Sequence, residues 1–293
     1  MHALPEFPMR LTSLPIILTL GAALPAMAQD AARDWDLHRD ARAETVMAYT
    51  VFDNGLGIAV RCIDGGYEAF MSGLPSAGDG EIRTLDVAFG EDELSPQSWN
   101  VGVDDTVAVS SFPAPFARRL RQGGRLQIRV PDGAGAGRAL RYDLTLPASP
   151  TSIDETLNAC ERPLVDPRDA QLEALPDTGL PENLVWARRP EVRYPSTRYA
   201  RGFAVVTCLV SPDGGLRDCT VETEHPREGG FGEATLQAVR RARVRDTGGL
   251  TDLPPVLASF RVNFVVDGYQ TREDRERIRE DRRRRRESRG SGG

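Results

Sequence analysis

Two cysteines, Cys208 and Cys219, stand either side of Ser211-Pro212-Asp213-Gly214-Gly215, and that arrangement constrains the chain more than any other feature. Apolar stretches at residues 203–210 and 216–222 flank the turn. A four-residue loop from Pro212 to Gly215 has a length usually built on a type I turn with Pro at its first corner. Such a loop sets Ser211 opposite Leu216 and, counting outward, Cys208 opposite Cys219 in a non-hydrogen-bonded pair. Pairs of that kind approach to about 4.5 Å between Cα atoms, inside the range a disulfide tolerates. The loop also keeps Pro212 out of the ladder, where its missing N–H would cost a bond. The expectation is a disulfide-stapled hairpin; the alternative is two buried free thiols on one face.

Oxidation depends on compartment. Met9-Arg10 opens a short basic region, and residues 14–28 are largely apolar and end in Ala26-Met27-Ala28. A basic start, a short apolar centre and an A-x-A ending predict a cleavable signal peptide over residues 1–28, with Met9 a second candidate start beside Met1. Pro25 and the shortness of the run argue against the alternative, an inner-membrane anchor formed by uncleaved residues 11–28. The expected location is the periplasm. Four cysteines in an exported chain predict two disulfides, for which three pairings exist. Pairing Cys62 with Cys160 would tie a strand at residues 61–63 to a short helix at 153–160, closing a loop of about 100 residues.

The 293 residues divide by pattern. Residues 30–162 carry short apolar runs at 45–52, 58–63, 68–71, 85–89, 107–111, 126–130 and 140–146, separated by Gly-rich turns. That rhythm predicts an all-β, sandwich-like or barrel domain. Residues 163–182, with four prolines among acids, read as a linker. Residues 183–268 read as a small α+β domain. It has a short helix from Arg193-Tyr194-Pro195 through Tyr199, the stapled hairpin, a helix over 231–244 with Phe231, Ala234, Ala238 and Ala242 as its apolar stripe, and a closing strand over 258–266. Two helices on an antiparallel sheet are expected. Residues 271–293 are an Arg-rich tail with ten Arg and six acids.

The second of these units resembles the TonB C-terminal domain family over residues 186–268. The resemblance rests on Tyr194-Pro195, Gly202, the run Val206-x-Cys208-x-Val210-Ser211-Pro212-Asp213-Gly214, Val221, Phe231-x-x-Ala234-x-x-x-Ala238-Val239 and the final Arg261-Val262-Asn263-Phe264-Val265-Val266-Asp267-Gly268. It implies a periplasmic module whose closing strand, Arg261, Val262, Asn263, Phe264, Val265 and Val266, takes up an extended peptide such as a segment of an outer-membrane transporter, and a link to TonB-dependent transmembrane transport. The chain departs from the energy-transducing members: its apolar segment has no His, a folded unit follows it, and 20 linker residues reach at most ~70 Å. Arg243-Val244-Arg245-Asp246 stands where the family's helix is usually followed by aromatic-Pro-Gly. The first unit resembles periplasmic proteins of the invasion-associated locus B type, through Trp35, Val60-Arg61-Cys62, Trp99 and Asn158-Ala159-Cys160.

Charge and chemistry narrow the function. The net charge of −6 excludes a general nucleic-acid binder, and all 37 basic residues are Arg. No G-x-S-x-G or close pair of metal ligands occurs. His38 and His225 read as exposed histidines, Asp104-Asp105 and Glu91-Asp92-Glu93 as loop charge, and residues 133–137 as a hairpin tip. No cofactor and no enzymatic activity are expected. The predicted role is protein–protein contact in the cell envelope; the alternative is a structural envelope protein docking to membrane or cell wall through residues 272–289.

Overall fold

The computed structural model describes residues 34–266 apart from Asp79 and Asp177. The signal segment and the Arg-rich tail lie outside the described residues. The architecture is mainly antiparallel β, with few helices.

The first part of the chain runs β1 (Asp36–Asp40), β2 (Thr45–Val51), β3 (Gly57–Ile63), β4 (Gly66–Ser72), β5 (Ile82–Phe89), β6 (Ser95–Val101), β7 (Ala108–Val109), α1 (Pro113–Leu120), β8 (Gly124–Val130), β9 (Leu140–Leu146) and α2 (Thr151–Ala159). All nine strands belong to one sheet, ordered β1-β2-β3-β4-β7-β6-β5-β8-β9. The two-residue β7 pairs with β4 on one side and β6 on the other, and so joins what would otherwise be separate halves. Asn100 secures the junction, its Nδ2 donating to the Val109 carbonyl at 3.2 Å and to Ser111 Oγ at 3.0 Å. Both halves feed one core, in which Val60, Tyr67 and Met71 join Leu85, Trp99, Ile128 and Leu144. The helices close it with Leu120 of α1 and Ile153 and Leu157 of α2. Tyr67 hydroxyl meets Thr156 Oγ1 at 2.7 Å, so the buried phenol keeps a partner.

The span read as a linker is packed. It contains α3 (Asp169–Glu173), and Leu172 and Leu180 are buried. Arg118 of α1, itself buried, grips Asp169 through Nε at 2.5 Å and Nη2 at 2.6 Å and donates to the Pro163 carbonyl at 2.9 Å. A fork of this kind fixes orientation as well as charge.

The last part comprises β10 (Leu184–Arg188), β11 (Arg201–Val210), β12 (Leu216–His225), a 3₁₀ turn (Arg227–Gly229), α4 (Phe231–Val239), β13 (Arg243–Asp246) and β14 (Leu257–Val265). Its sheet order is β12-β11-β14, and β10 pairs with β13 separately. Three expectations are corrected here. Residues 189–200 form no helix. The helix expected over 231–244 ends at Val239. Arg243-Val244-Arg245-Asp246 then alternates exposed and buried, a period of two that suits a strand. One α-helix rather than two therefore lies on this sheet.

The hairpin holds, with a changed register. Val210 faces Leu216, so the loop has five residues rather than four. A bulge at Asp218, whose φ is +49°, then restores the pairing Thr207 to Thr220 and brings Cys208 and Cys219 to a Cα separation of 4.1 Å. Cys208–Cys219 and Cys62–Cys160 are both disulfides, the latter at a Cα separation of 5.4 Å. The Pro-Asp-Gly tip also docks on β13. Gly214 has φ +77°, and a Cβ there would sit 2.1 Å from the Val244 carbonyl oxygen, so only glycine fits.

Candidate functional site

β11 reads Phe-Ala-Val-Val-Thr-Cys-Leu-Val because both of its faces are covered. On one face Ala204, Val206 and Cys208 meet α4 together with Phe260, Val262 and Phe264. On the other, Phe203 and Val205 pack with Val109, Phe70 and Phe112 of the first part of the chain. What remains of this sheet for a partner is its edges.

β14 is such an edge. It pairs with β11 from Arg201↔Val265 to Leu209↔Leu257 and has no strand on its other side. The direction of its backbone groups follows from two bonds. Val266 N–H donates inward to the Ala200 carbonyl at 3.0 Å, whereas Ser259 N–H donates outward to the Gly179 carbonyl at 2.7 Å. Alternation then turns the N–H and C=O of Arg261, Asn263 and Val265 outward. Among the described residues none of these outward groups has a backbone partner.

The predicted docking residues divide accordingly. Val262 and Phe264 point into the α4 core, Phe264 being buried. Val265 and Val266 are exposed at the open end. Arg261 and Asn263 face the first part of the chain, where Arg261 Nη2 donates to the Glu81 carbonyl at 3.1 Å and Asn263 Nδ2 to the Glu81 carboxylate. Arg261 lies over the Phe203 ring, 4.9 Å from its centroid, while its Nε and Nη1 have no partner among the described residues. Burial pulls its pKa down to about 10, against the opposing pull of Glu81. The edge is held short at one end: Gly179 has φ +70°, and a Cβ there would lie 1.9 Å from Ser259 O.

A second cluster joins the two parts of the chain. Glu68 on β4 is fully buried; its Oε2 accepts from Arg61 Nε at 2.7 Å, and its Oε1 lies 3.7 Å from His225 Nδ1. The expectation of an exposed His225 is corrected: it ends β12, 18% exposed, with Phe70 and Phe203 against its ring. Burial pushes the Glu68 carboxyl up, but His225 close beside it and the hydrogen bond and charge of Arg61 outweigh it and hold the group below its usual 4.5. Glu224 is pushed the other way by burial, although its oxygens accept from Gly230 and Gly232 N–H at the start of α4. The signs follow by linkage. Glu68 stabilises the fold fully above pH 4.5 and loses that contribution as pH falls through its lowered pKa. Glu224 weakens the fold as pH rises from 4.5 through its raised pKa. Glu68→Gln is expected to flatten the acid limb of a Tm–pH profile; a limb as steep as the parent's below pH 4.5 contradicts that role.

The other candidates stay apart. His38 is exposed on β1. Asp104 accepts from Thr106 N–H and hydroxyl within its own turn, at 2.9 and 2.8 Å, and Asp105 accepts from Ser76 Oγ at 2.7 Å. Residues 133–137 form the tip of the β8–β9 hairpin. Among the described residues no group of three His, Cys, Asp or Glu could hold a metal ion, and no helix is long and apolar enough to cross a membrane.

The sequence signal for the Glu68–His225 contact was an acid inside the apolar run Tyr67-Glu68-Ala69-Phe70-Met71. No family model matches the chain, and no curated protein matches it. Among solved structures, the solution NMR structure of the Pseudomonas aeruginosa TonB CTD is similar at 20% identity, covering 31% of this chain and 93% of that one, with a TM-score of 0.27.

Proposed function

We propose that this chain is an exported, non-enzymatic interaction protein of the periplasm that takes up an extended segment of a protein partner along β14. The observation that carries the reading is the row of outward backbone groups at Arg261, Asn263 and Val265 on a strand paired on one side only. Strand addition draws affinity from such groups and selectivity from alternate side chains. The two disulfides support an oxidising compartment. The TonB resemblance read in the sequence favours a segment of an outer-membrane transporter as the partner.

The test uses a photocrosslinker at Val265 in the full chain expressed in its own cell envelope. Asn263→Pro removes one outward N–H and no inward ladder bond, so the sheet survives while the docking register is blocked. An adduct is expected in the parent and in Asn263→Ala, which keeps the N–H but loses the Glu81 contact, and it should disappear in Asn263→Pro. An adduct that persists in Asn263→Pro overturns the reading.

A further inference from the structure

A groove of about 1050 Å³ runs between residues 188–195 and α4. Val192 and Ala234 of its lining pack with Val262 and Phe264 of β14, on the face of the sheet that α4 covers rather than along the outward edge of the strand. Five arginines line it: Arg188, Arg189, Arg193, Arg240 and Arg241. All five are exposed. Two carboxylates, Glu191 and Glu233, share the lining, which leaves it strongly basic in a chain whose net charge is −6. Arg188 is held in place, its Nε donating to the Arg241 carbonyl at 2.5 Å, just beyond the C-terminal end of α4. Arg189, Arg193, Arg240 and Arg241 make no ion pair with a carboxylate among the described residues, although ten other arginines of the chain do. Five guanidiniums against two carboxylates leave an excess of positive charge in the groove, and an anionic occupant relieves that repulsion.

The walls say which anion. One wall is irregular chain: from Arg189 to Arg198 no backbone group hydrogen-bonds to another backbone group among the described residues. An extended chain pairing there would displace no backbone bond, although Pro190 and Pro195 have no N–H to offer. Val192, Pro195, Ala234 and Ala238 add apolar surface to the same lining. A groove lined by exposed guanidiniums with apolar residues among them and an unpaired backbone wall suits a peptide in which carboxylates flank an apolar side chain. A bilayer surface is broad and would meet protruding arginines rather than a recess. We propose that this groove is a second docking site, taken by an acidic peptide segment of a protein partner with an apolar anchor residue. The proposal does not depend on strand addition at β14.

The test is fluorescence anisotropy with the full, oxidised chain and a labelled peptide of alternating Glu and Leu. Binding is expected, and it should weaken steeply as salt is raised. The triple variant Arg193→Ala/Arg240→Ala/Arg241→Ala should bind roughly tenfold more weakly or worse. These side chains are exposed, so the fold should be unaffected, as checked by an unchanged Tm. Arg217→Ala, Asn263→Pro and deletion of residues 271–293 should each leave affinity as in the parent, which separates this groove from the β14 edge and from the tail. A triple variant that binds like the parent overturns the proposal. So does loss of binding on deleting 271–293, or equal affinity for a Lys–Leu peptide. Binding to phosphatidylglycerol vesicles that is lost in the triple variant, with no peptide binding, also overturns it and assigns the groove to a membrane surface.

Discussion

Replacing Cys62 and Cys160 together with Ala is expected to lower the unfolding free energy by about 4–5 kcal/mol. The bridge spans 98 residues and joins β3 to the residue that caps α2, so it restrains almost the whole first part of the unfolded chain. The Cys208–Cys219 bridge closes only 11 residues, and the same chain-entropy argument gives it about 3 kcal/mol. The order of the two effects is therefore fixed by loop length. Urea unfolding of the two double variants without reductant measures it. Equal losses, or a larger loss for Cys208→Ala/Cys219→Ala, contradict the assignment of the long bridge as the main restraint.

Phe231→Ala is the second large effect, at about 3–5 kcal/mol. The Phe231 ring is fully buried at the start of α4, with the Phe264 ring centroid 4.7 Å away and that of Tyr194 at 6.1 Å. Gly202 and Gly229 open the slot it fills: a Cβ on either would lie 2.0 or 2.1 Å from the ring. Backbone so close on both sides cannot collapse into the cavity left by Ala, which places the cost at the upper part of the range. Since Phe264 belongs to β14, losing the ring also loosens the strand that carries the proposed edge. Phe231→Leu should recover a good part of the stability. A loss below about 1 kcal/mol on Phe231→Ala would show that the slot relaxes and that α4 does not hold β14.

What the sequence made legible was local. The stapled hairpin followed from the turn residues and the two cysteines. Its register was one residue out next to the turn because the loop takes five residues rather than four, and the positive-φ bulge at Asp218 that restores it has no compositional mark. β6 was hidden because Pro96, Gln97 and Ser98 give no alternating apolar pattern. α1 was hidden by Pro113 and Pro115, which read as breakers yet lie in a first turn, where a missing N–H costs nothing. β13 was absorbed into a helix because Ala238 and Ala242 keep helical spacing up to the residue before it. The β14 edge was legible as the last apolar run of an ordered set. Its neighbours were not: Glu81 and Gly179 reach it from distant parts of the chain. The basic groove was equally hidden, since Arg188-Arg189 and Arg240-Arg241 each look like ordinary surface pairs until α4 and the irregular segment bring them together.

Amide hydrogen exchange along β14 in the free, oxidised chain tests the central claim most directly. With one side of the strand open, Phe260, Val262 and Phe264 should be protected through their bonds to β11, while Arg261, Asn263 and Val265 exchange at rates typical of exposed amides. Ser259 should be protected by Gly179. Uniform protection through residues 259–265 would mean that the edge is already covered in the free chain, and strand addition there would have to be abandoned.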